Sequence, residues 1–272
     1  MALADLLDPT SSIMAFYATD LRRKREEAGI TQRAMAKRAL MAPSLLNKIE
    51  AGVRLPSEDL SEVADAMLGT GDHFRRLWPL VIKYAYPAWF RPYVDLEEAA
   101  RAIRSFQIQL VPGLLQTEEY ARVVMNVCRP DRDVLEERVV ARLQRQKILE
   151  RPDRPELWVV LDELVLRRAM GSPAIQRAQL ESLINAAQEP RTVIQVLPLS
   201  VGAHAGVEGA FSVLTLDEGP GVVYVDGFSQ GQILADPSQV KAAERAYDLL
   251  MTGALSVTAS IDLIAAVMKE LR

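Results

Sequence analysis

Hydrogen-bonding side chains recur at helical spacing in a short segment near residue 45. Ser44, Asn47 and Lys48 lie three and four residues apart, so a helix would place them on one face. A serine hydroxyl can serve several base edges, Asn can pair bidentately with adenine, and Leu45 can touch a thymine methyl group. With Pro43 at its start, this face predicts a surface that reads the major groove of duplex DNA.

The elements that must position these residues lie within 31–54, TQRAMAKRALMAPSLLNKIEAGVR. Thr31 can cap a first helix, and Pro43 suits the first turn of a second one. Leu46 and Ile49 are three apart and can dock the second helix on the first, while Gly52 ends it. The segment therefore predicts a helix-turn-helix.

Charge is distributed unevenly along the chain. Residues 20–54 hold nine Lys and Arg against four Asp and Glu, a net charge of +5, whereas the rest of the chain carries −9. A basic segment on an acidic chain indicates a local site for a polyanion. Gln32, Arg33, Arg54 and the start of the first helix of the motif are the predicted phosphate contacts.

The pattern TQ-x-x-M-A followed by PS-x-L-x-KIE-x-G-x-R-x-P resembles the repressor-type helix-turn-helix of the XRE type. The resemblance implies an ion pair between Arg25 and Glu50, which we assign a structural role. Two positions depart from the pattern. Leu40 occupies the turn position that usually holds glycine, and Ala42 replaces the usual Ser or Thr cap. A left-handed backbone disfavours Leu, and an absent cap costs about 1 kcal/mol.

Composition is that of an ordinary globular protein, with 49% hydrophobic and 25% charged residues. No run approaches the length of a membrane span, so no membrane contact is expected. Cys128 is the only cysteine, which suits a reducing cytoplasm. With one Cys and only His73 and His204, no metal site and no cofactor are predicted.

Catalysis has little support in the sequence, and we predict no catalytic residue. His204 lies in a Gly-rich loop with Glu208 four residues on, but Ser200 and Ser212 lack the context of an activated nucleophile. The loop is interpreted as structural, with a ligand cradle as the alternative. Asp162 and Glu163 are better explained as a helix start than as a cation site.

The predicted architecture has two domains joined by a linker. Residues 1–80 form an all-α helix-turn-helix domain of about five helices, and 81–95 are a linker rich in aromatic residues and proline. Residues 96–272 form an α+β domain with a small, mostly antiparallel sheet. Strands are expected near 106–110, 157–161, 192–199, 210–216 and 221–225, the last two as a hairpin. The basic face of a helix at 133–150, which includes Arg142 and Arg145, is expected to face solvent.

Several segments of the second domain resemble one family when taken together: VPGLLQTEEYA, ARLQRQ, LDELVLRR, VLPLSVGAHAG, GAFSVL and VVYVD. They are similar to the C-terminal domain of unknown function of WhiJ-like actinobacterial regulators. The resemblance implies a regulator, and a small protein encoded nearby as a partner.

These observations predict a cytoplasmic, sequence-specific transcriptional regulator that binds double-stranded DNA as a homodimer, with no enzymatic activity. Its C-terminal domain would dimerise and sense a small protein or a ligand. The alternative is an antitoxin-like interaction protein that sequesters a small partner and binds DNA only to regulate itself.

Overall fold

The computed structural model describes residues 7–271. Among them are twelve α-helices: α1 (Ile13–Glu27), α2 (Gln32–Arg38), α3 (Pro43–Glu50), α4 (Glu58–Leu68), α5 (His73–Ile82), α6 (Arg91–Glu98), α7 (Glu118–Met125), α8 (Arg132–Gln146), α9 (Glu163–Arg167), α10 (Pro173–Ala186), α11 (Pro237–Gly253) and α12 (Val257–Glu270). The same residues contain six strands: β1 (Ala100–Gln107), β2 (Glu156–Asp162), β3 (Thr192–Leu197), β4 (Phe211–Leu216), β5 (Val222–Val225) and β6 (Gln232–Leu234).

The chain forms two compact units. The first runs to Pro87 and includes Asp131–Ala141, and the second comprises Ala88–Pro130 and the chain from Arg142 on. This division differs from the predicted domains in two respects. Part of the predicted linker is helix α6 and belongs to the second unit, and the first part of α8 belongs to the first unit.

Helices α1 to α5 of the first unit close over one apolar core, and three of them, α1, α2 and α4, start at side-chain caps. The hydroxyl of Ser12 accepts a hydrogen bond from the Ala15 amide, and Thr31 and Ser57 cap α2 and α4 in the same way. The core consists of large side chains that are fully buried: Tyr17, Leu21, Met35, Leu46, Ile49, Leu60 and Phe74. This core holds α3 against α1 and α2, which fixes the face that α3 presents to solvent.

The turn between α2 and α3 is closed by two backbone hydrogen bonds of the Schellman type. The Met41 amide donates to the Ala36 carbonyl at 2.9 Å, and the Leu40 amide donates to the Lys37 carbonyl at 3.3 Å. Leu40 has a φ of 53°, so it occupies the left-handed region. Leu40 is 95% exposed, so packing of its side chain does not offset the strain of this backbone conformation. At Ala42, the residue before α3, no side chain caps the helix.

We expect Leu40→Gly to stabilise the first unit by about 1 kcal/mol, because glycine adopts the left-handed backbone without strain. Thermal unfolding of the full chain, monitored by hydrogen exchange of peptides from the first unit, measures the change in stability. Gly69→Ala is the matched opposite: Gly69 has a φ of +64° and a Cβ there meets no atom within 4 Å. Gly69→Ala should destabilise the first unit by a similar amount. Equal stability of wild type and Leu40→Gly would contradict the prediction.

The second unit is built on one six-stranded sheet in the order β3-β2-β1-β4-β5-β6. Strand β1 pairs in parallel with β2, and β2 pairs in parallel with β3, whereas the other three pairings are antiparallel. The α+β class is confirmed, and the sheet that was expected to be small and mostly antiparallel is a six-stranded mixed sheet, with three antiparallel and two parallel pairings. The long connections between β1, β2 and β3 contain helices, which is what parallel pairing requires.

Helices cover both faces of this sheet because successive side chains of its central strands point to opposite sides. Leu157, Val159 and Leu161 of β2 belong to a core with α10 and α12, whereas Val160 packs with Tyr247 of α11. The predicted β4–β5 hairpin is present. Strand β1 ends at Gln107, earlier than expected, since the chain turns toward Pro112. The third strand of the antiparallel part, β6, was not expected.

Among residues 7–271, no single helix is long and apolar enough to cross a membrane. The pair α11 and α12 has the length and composition to do so together, but it is bent by 71° at its break.

Candidate nucleic-acid interface

Helix α3 has one buried and one exposed face. Leu46 and Ile49 are fully buried in the core of the first unit. The opposite face is exposed and carries every residue predicted to read the major groove: Pro43, Ser44, Leu45, Asn47 and Lys48. A short helix that is anchored by two aliphatic side chains and polar on its outer face has the geometry of a recognition helix.

A buried ion pair connects α1 to the end of α3. Arg25 donates from Nε to Glu50 Oε1 at 2.6 Å and from Nη2 to Glu50 Oε2 at 2.9 Å, so the contact is bidentate. Arg25 Nη1 also donates to the Ile30 carbonyl at 2.8 Å. Arg25 is 6% exposed and Glu50 1% exposed. The hydrogen bonds to Glu50 raise the pKa of the Arg25 guanidinium, which therefore remains charged.

Gln32 extends this cluster to the surface. Its Nε2 donates to Glu50 Oε2 at 2.7 Å and lies 3.4 Å from Asn47 Oδ1. The side chain at the start of α2 is thus oriented by the same carboxylate that anchors α3. Sequence reasoning assigned Gln32 to phosphate contact and did not detect its bond to Glu50, although residues at helix termini commonly bridge in this way.

The two remaining predicted phosphate contacts differ in their surroundings. Arg33 is exposed at the start of α2. Arg54 is only 9% exposed, and its guanidinium pairs with Asp133 and, at 3.0 Å, with Glu137 of α8. The Leu55 amide donates to the same Glu137 carboxylate at 3.2 Å. Binding of Arg54 to phosphate would therefore require exchange of these partners, and its role there stays a prediction.

Asp133 and Glu137 were not detected from sequence. Asp133 also lies 3.6 Å from the Lys48 ammonium, so one carboxylate contacts two cations of the predicted DNA surface. These acids are about 80 residues from Arg54 in the chain, and a long-range contact of this kind leaves no local pattern. The available signal was their i, i+4 spacing on one face of a charged helix.

The comparisons with known families account for most of the chain. A model described as a helix-turn-helix domain matches residues 17–78, which confirms that part of the prediction. A model described as a domain of unknown function, DUF5753, matches residues 90–266. The chain belongs to the DUF5753 family. No curated protein and no solved structure matches it.

In the DUF5753 domain, the residues weighed for catalysis or metal binding have structural contacts. His204 Nε2 lies 3.8 Å from Asp162 Oδ2, and its ring contacts Phe106 edge-on. Asp162 caps α9 by accepting from the Leu164 amide at 2.8 Å. Glu163 accepts from the Leu199 amide at 3.0 Å, a bond that lowers its pKa.

Within residues 7–271, no group of three or more His, Cys, Asp or Glu side chains is placed to hold a metal ion. A helix-turn-helix domain is typical of a regulator rather than an enzyme.

We expect Asn47→Ala and Ser44→Ala each to reduce the difference in binding free energy between the preferred and the other base pairs. The reduction should be roughly 1–3 kcal/mol at one or two positions of the site. The reason is that each removes a hydrogen-bonding group from the exposed face of α3. Binding to a randomised pool of duplexes measures the preference position by position. Arg33→Ala is the control, because loss of a phosphate contact should weaken all sequences nearly equally. An unchanged preference in the first two variants would refute their assignment as base contacts.

Proposed function

We propose that this DUF5753 protein is a sequence-specific transcriptional regulator that binds duplex DNA as a homodimer. The observation that carries the proposal is the exposed polar face of α3, above the two buried anchors Leu46 and Ile49. A cytoplasmic location belongs to the same proposal, because the chain must reach DNA. The DUF5753 domain would join the two copies and sense a small protein or a ligand.

Dimerisation is proposed because one recognition helix spans few base pairs. Repressor-type helix-turn-helix proteins commonly bind two half-sites one helical turn apart, and the two-fold axis of the dimer matches that of the operator. Base contacts from one α3 could distinguish only three or four positions. Two copies double that number, which provides the specificity needed against a genome of competing sites.

The charge distribution supports DNA as the partner. The net charge of +5 within residues 20–54 coincides with the helix-turn-helix, while the remaining −9 would repel DNA from the rest of the chain. Such an arrangement orients the protein at encounter, since only one surface is attracted to phosphate.

Affinity for duplex DNA should fall steeply as the salt concentration rises from about 50 to 200 mM, because Lys and Arg displace condensed counterions from phosphate. Fluorescence anisotropy of a labelled genomic fragment, titrated with the full chain at several salt concentrations, gives the slope. Arg33→Ala should reduce the magnitude of that slope by about 1.

Lys241→Ala is the matched control for the salt experiment, because Lys241 is exposed on α11 of the DUF5753 domain. It should leave both affinity and slope unchanged. The proposed function is wrong if no genomic fragment binds, or if affinity is independent of salt.

A further inference from the structure

Three hydrogen-bond donors lie close together at the end of α3 and in the loop that follows it. They are the Lys48 ammonium on the last turn of α3, the Arg54 guanidinium and the Leu55 backbone amide, and we call them the loop donors. Lysine and arginine side chains and backbone N–H groups are the donors that commonly bind DNA phosphates. Lys48 and Arg54 also belong to the surface predicted to contact DNA.

Two carboxylates from the start of α8 contact all three loop donors. Asp133 Oδ2 lies 3.6 Å from Lys48 Nζ and also contacts Arg54 Nη2. Glu137 Oε1 accepts from Arg54 Nη1 at 3.0 Å and from the Leu55 amide at 3.2 Å. The two acids are four residues apart, so they lie on one face of the helix. Their oxygens therefore fill the positions at which these donors could bind a phosphate.

The start of α8 brings negative charge to a basic part of the first unit. Residues 131–141, which belong to that unit, hold four acids against two arginines, a net charge of −2. Residues 20–54, which include the helix-turn-helix, carry +5. The opposite charges favour the contact between the two segments. The same contact cancels part of the positive charge that would attract DNA.

The start of α8 is held by apolar residues, whereas its charged contacts reach water. Leu135 and Val139 are buried, but the side chains of Asp133 and Lys48 are 54% and 53% exposed. Ion pairs that remain in water contribute little to stability. A DNA phosphate could therefore replace Asp133 at a small cost, and Arg54 would exchange one anion for another.

We propose that the loop donors form a phosphate site of the helix-turn-helix, and that Asp133 and Glu137 occupy this site in the free protein and compete with DNA for it. The inference rests on the proposed function, because it takes DNA as the partner of this unit. Phosphate contacts carry no sequence information. The two acids should therefore lower the affinity for all duplexes and leave the base preference unchanged.

The test compares the full chain with the double variant Asp133→Asn, Glu137→Gln, in which both charges are lost but the amides still offer an acceptor to the Leu55 N–H. Fluorescence anisotropy of labelled duplexes of random sequence measures affinity at several salt concentrations. We expect the double variant to bind at least tenfold more tightly at about 50 mM salt. The magnitude of the salt slope should rise by about 2, because Lys48 and Arg54 would each displace one more counterion.

The matched control is Asp59→Asn with Asp72→Asn, which removes the same charge from two exposed positions of the first unit. It should raise affinity by less than about threefold, because only long-range repulsion changes. A triple variant then adds Arg54→Gln to the double variant. It should lose most of the gain and about 1 from the slope, because the gain depends on the freed guanidinium. If the acids only repelled DNA, the gain would persist in the triple variant.

The inference is overturned if the double variant, folded by circular dichroism, binds duplexes no more tightly than wild type, if the control gains as much, or if the gain survives Arg54→Gln. Should the double variant not fold, Asp133→Asn alone should give a gain of at least about threefold, and its absence overturns the inference as well. DNA binding without a gain refutes only the inference. Failure of both wild type and the double variant to bind any duplex refutes the proposed function, and the inference with it.

Discussion

Glu50→Ala is expected to destabilise the helix-turn-helix domain by about 3–5 kcal/mol, because it leaves the buried Arg25 guanidinium without its carboxylate. Glu50 accepts three hydrogen bonds, two from Arg25 and one from Gln32. All three are lost together, and a cation that is 6% exposed cannot regain full hydration. The melting temperature of this unit should fall by more than about 10 °C.

The measurement follows hydrogen exchange of peptides from α1 and α3 in the full chain as temperature rises, so that the first unit is observed separately. Glu27→Ala is the control, because Glu27 pairs with Arg23 at 2.8 Å on the exposed side of α1. An exposed pair contributes less than about 1 kcal/mol. A melting curve for Glu50→Ala that coincides with wild type would show that the ion pair is energetically incidental.

A double variant separates the stranded charge from lost packing. Arg25→Met with Glu50→Leu removes both charges and retains apolar volume, so it should be more stable than Glu50→Ala alone. If both variants lose the same stability, the cost arises from the fit of these side chains between α1 and α3, and not from an uncompensated charge.

The helix-turn-helix could be predicted from sequence because its determinants are local. Thr31 caps α2, Pro43 begins α3, and Leu46 and Ile49 fall on one face, all within 24 consecutive residues. Even its irregular feature was visible, since the resemblance to the repressor-type motif implied a turn position at Leu40, where the backbone has a φ of 53°. Caps and helical periodicity act over three or four residues, which is the range that sequence patterns report.

The sheet was less predictable because pairing is not local. Alternation indicated most strands, but the parallel neighbours β1 and β2 are separated by about 50 residues that include α7 and α8. Strand β6 has three residues, too few to show a period. The predicted linker 81–95 includes the first part of α6, because proline and aromatic residues there argue against a helix, although Pro92 is tolerated at the start of one.

The side-chain contacts of α8 could not be predicted from the sequence either, because they too are not local. Its basic residues were expected in solvent, yet Arg142 and Arg145 line a cavity whose other walls come from α6, β1 and β4. Arg54 looked like a phosphate contact and is held by Asp133 and Glu137. In each case the partner lies tens of residues away, so residue type indicated charge but not the group that meets it.

The full chain is expected to bind a palindromic operator at least about a hundredfold more tightly than a duplex with one half-site. Once one helix-turn-helix of a dimer is bound, the second meets its half-site at an effective concentration in the millimolar range. That gain depends on simultaneous contact by two α3 helices, whose outward faces carry Ser44 and Asn47. Half-sites one helical turn apart would lie on the same side of the duplex.

The operator is first obtained by selection from a randomised duplex pool and then titrated as the palindrome, as one half-site and as a palindrome with five base pairs inserted between the half-sites. The insertion preserves every base contact but rotates one half-site to the opposite side of the DNA, so affinity should fall toward that of the single site. Light scattering of the free chain gives its mass at the same concentration. A monomeric chain that binds all three duplexes equally would show that one α3 helix suffices for operator binding. It would also show that the DUF5753 domain does not join two helix-turn-helix domains.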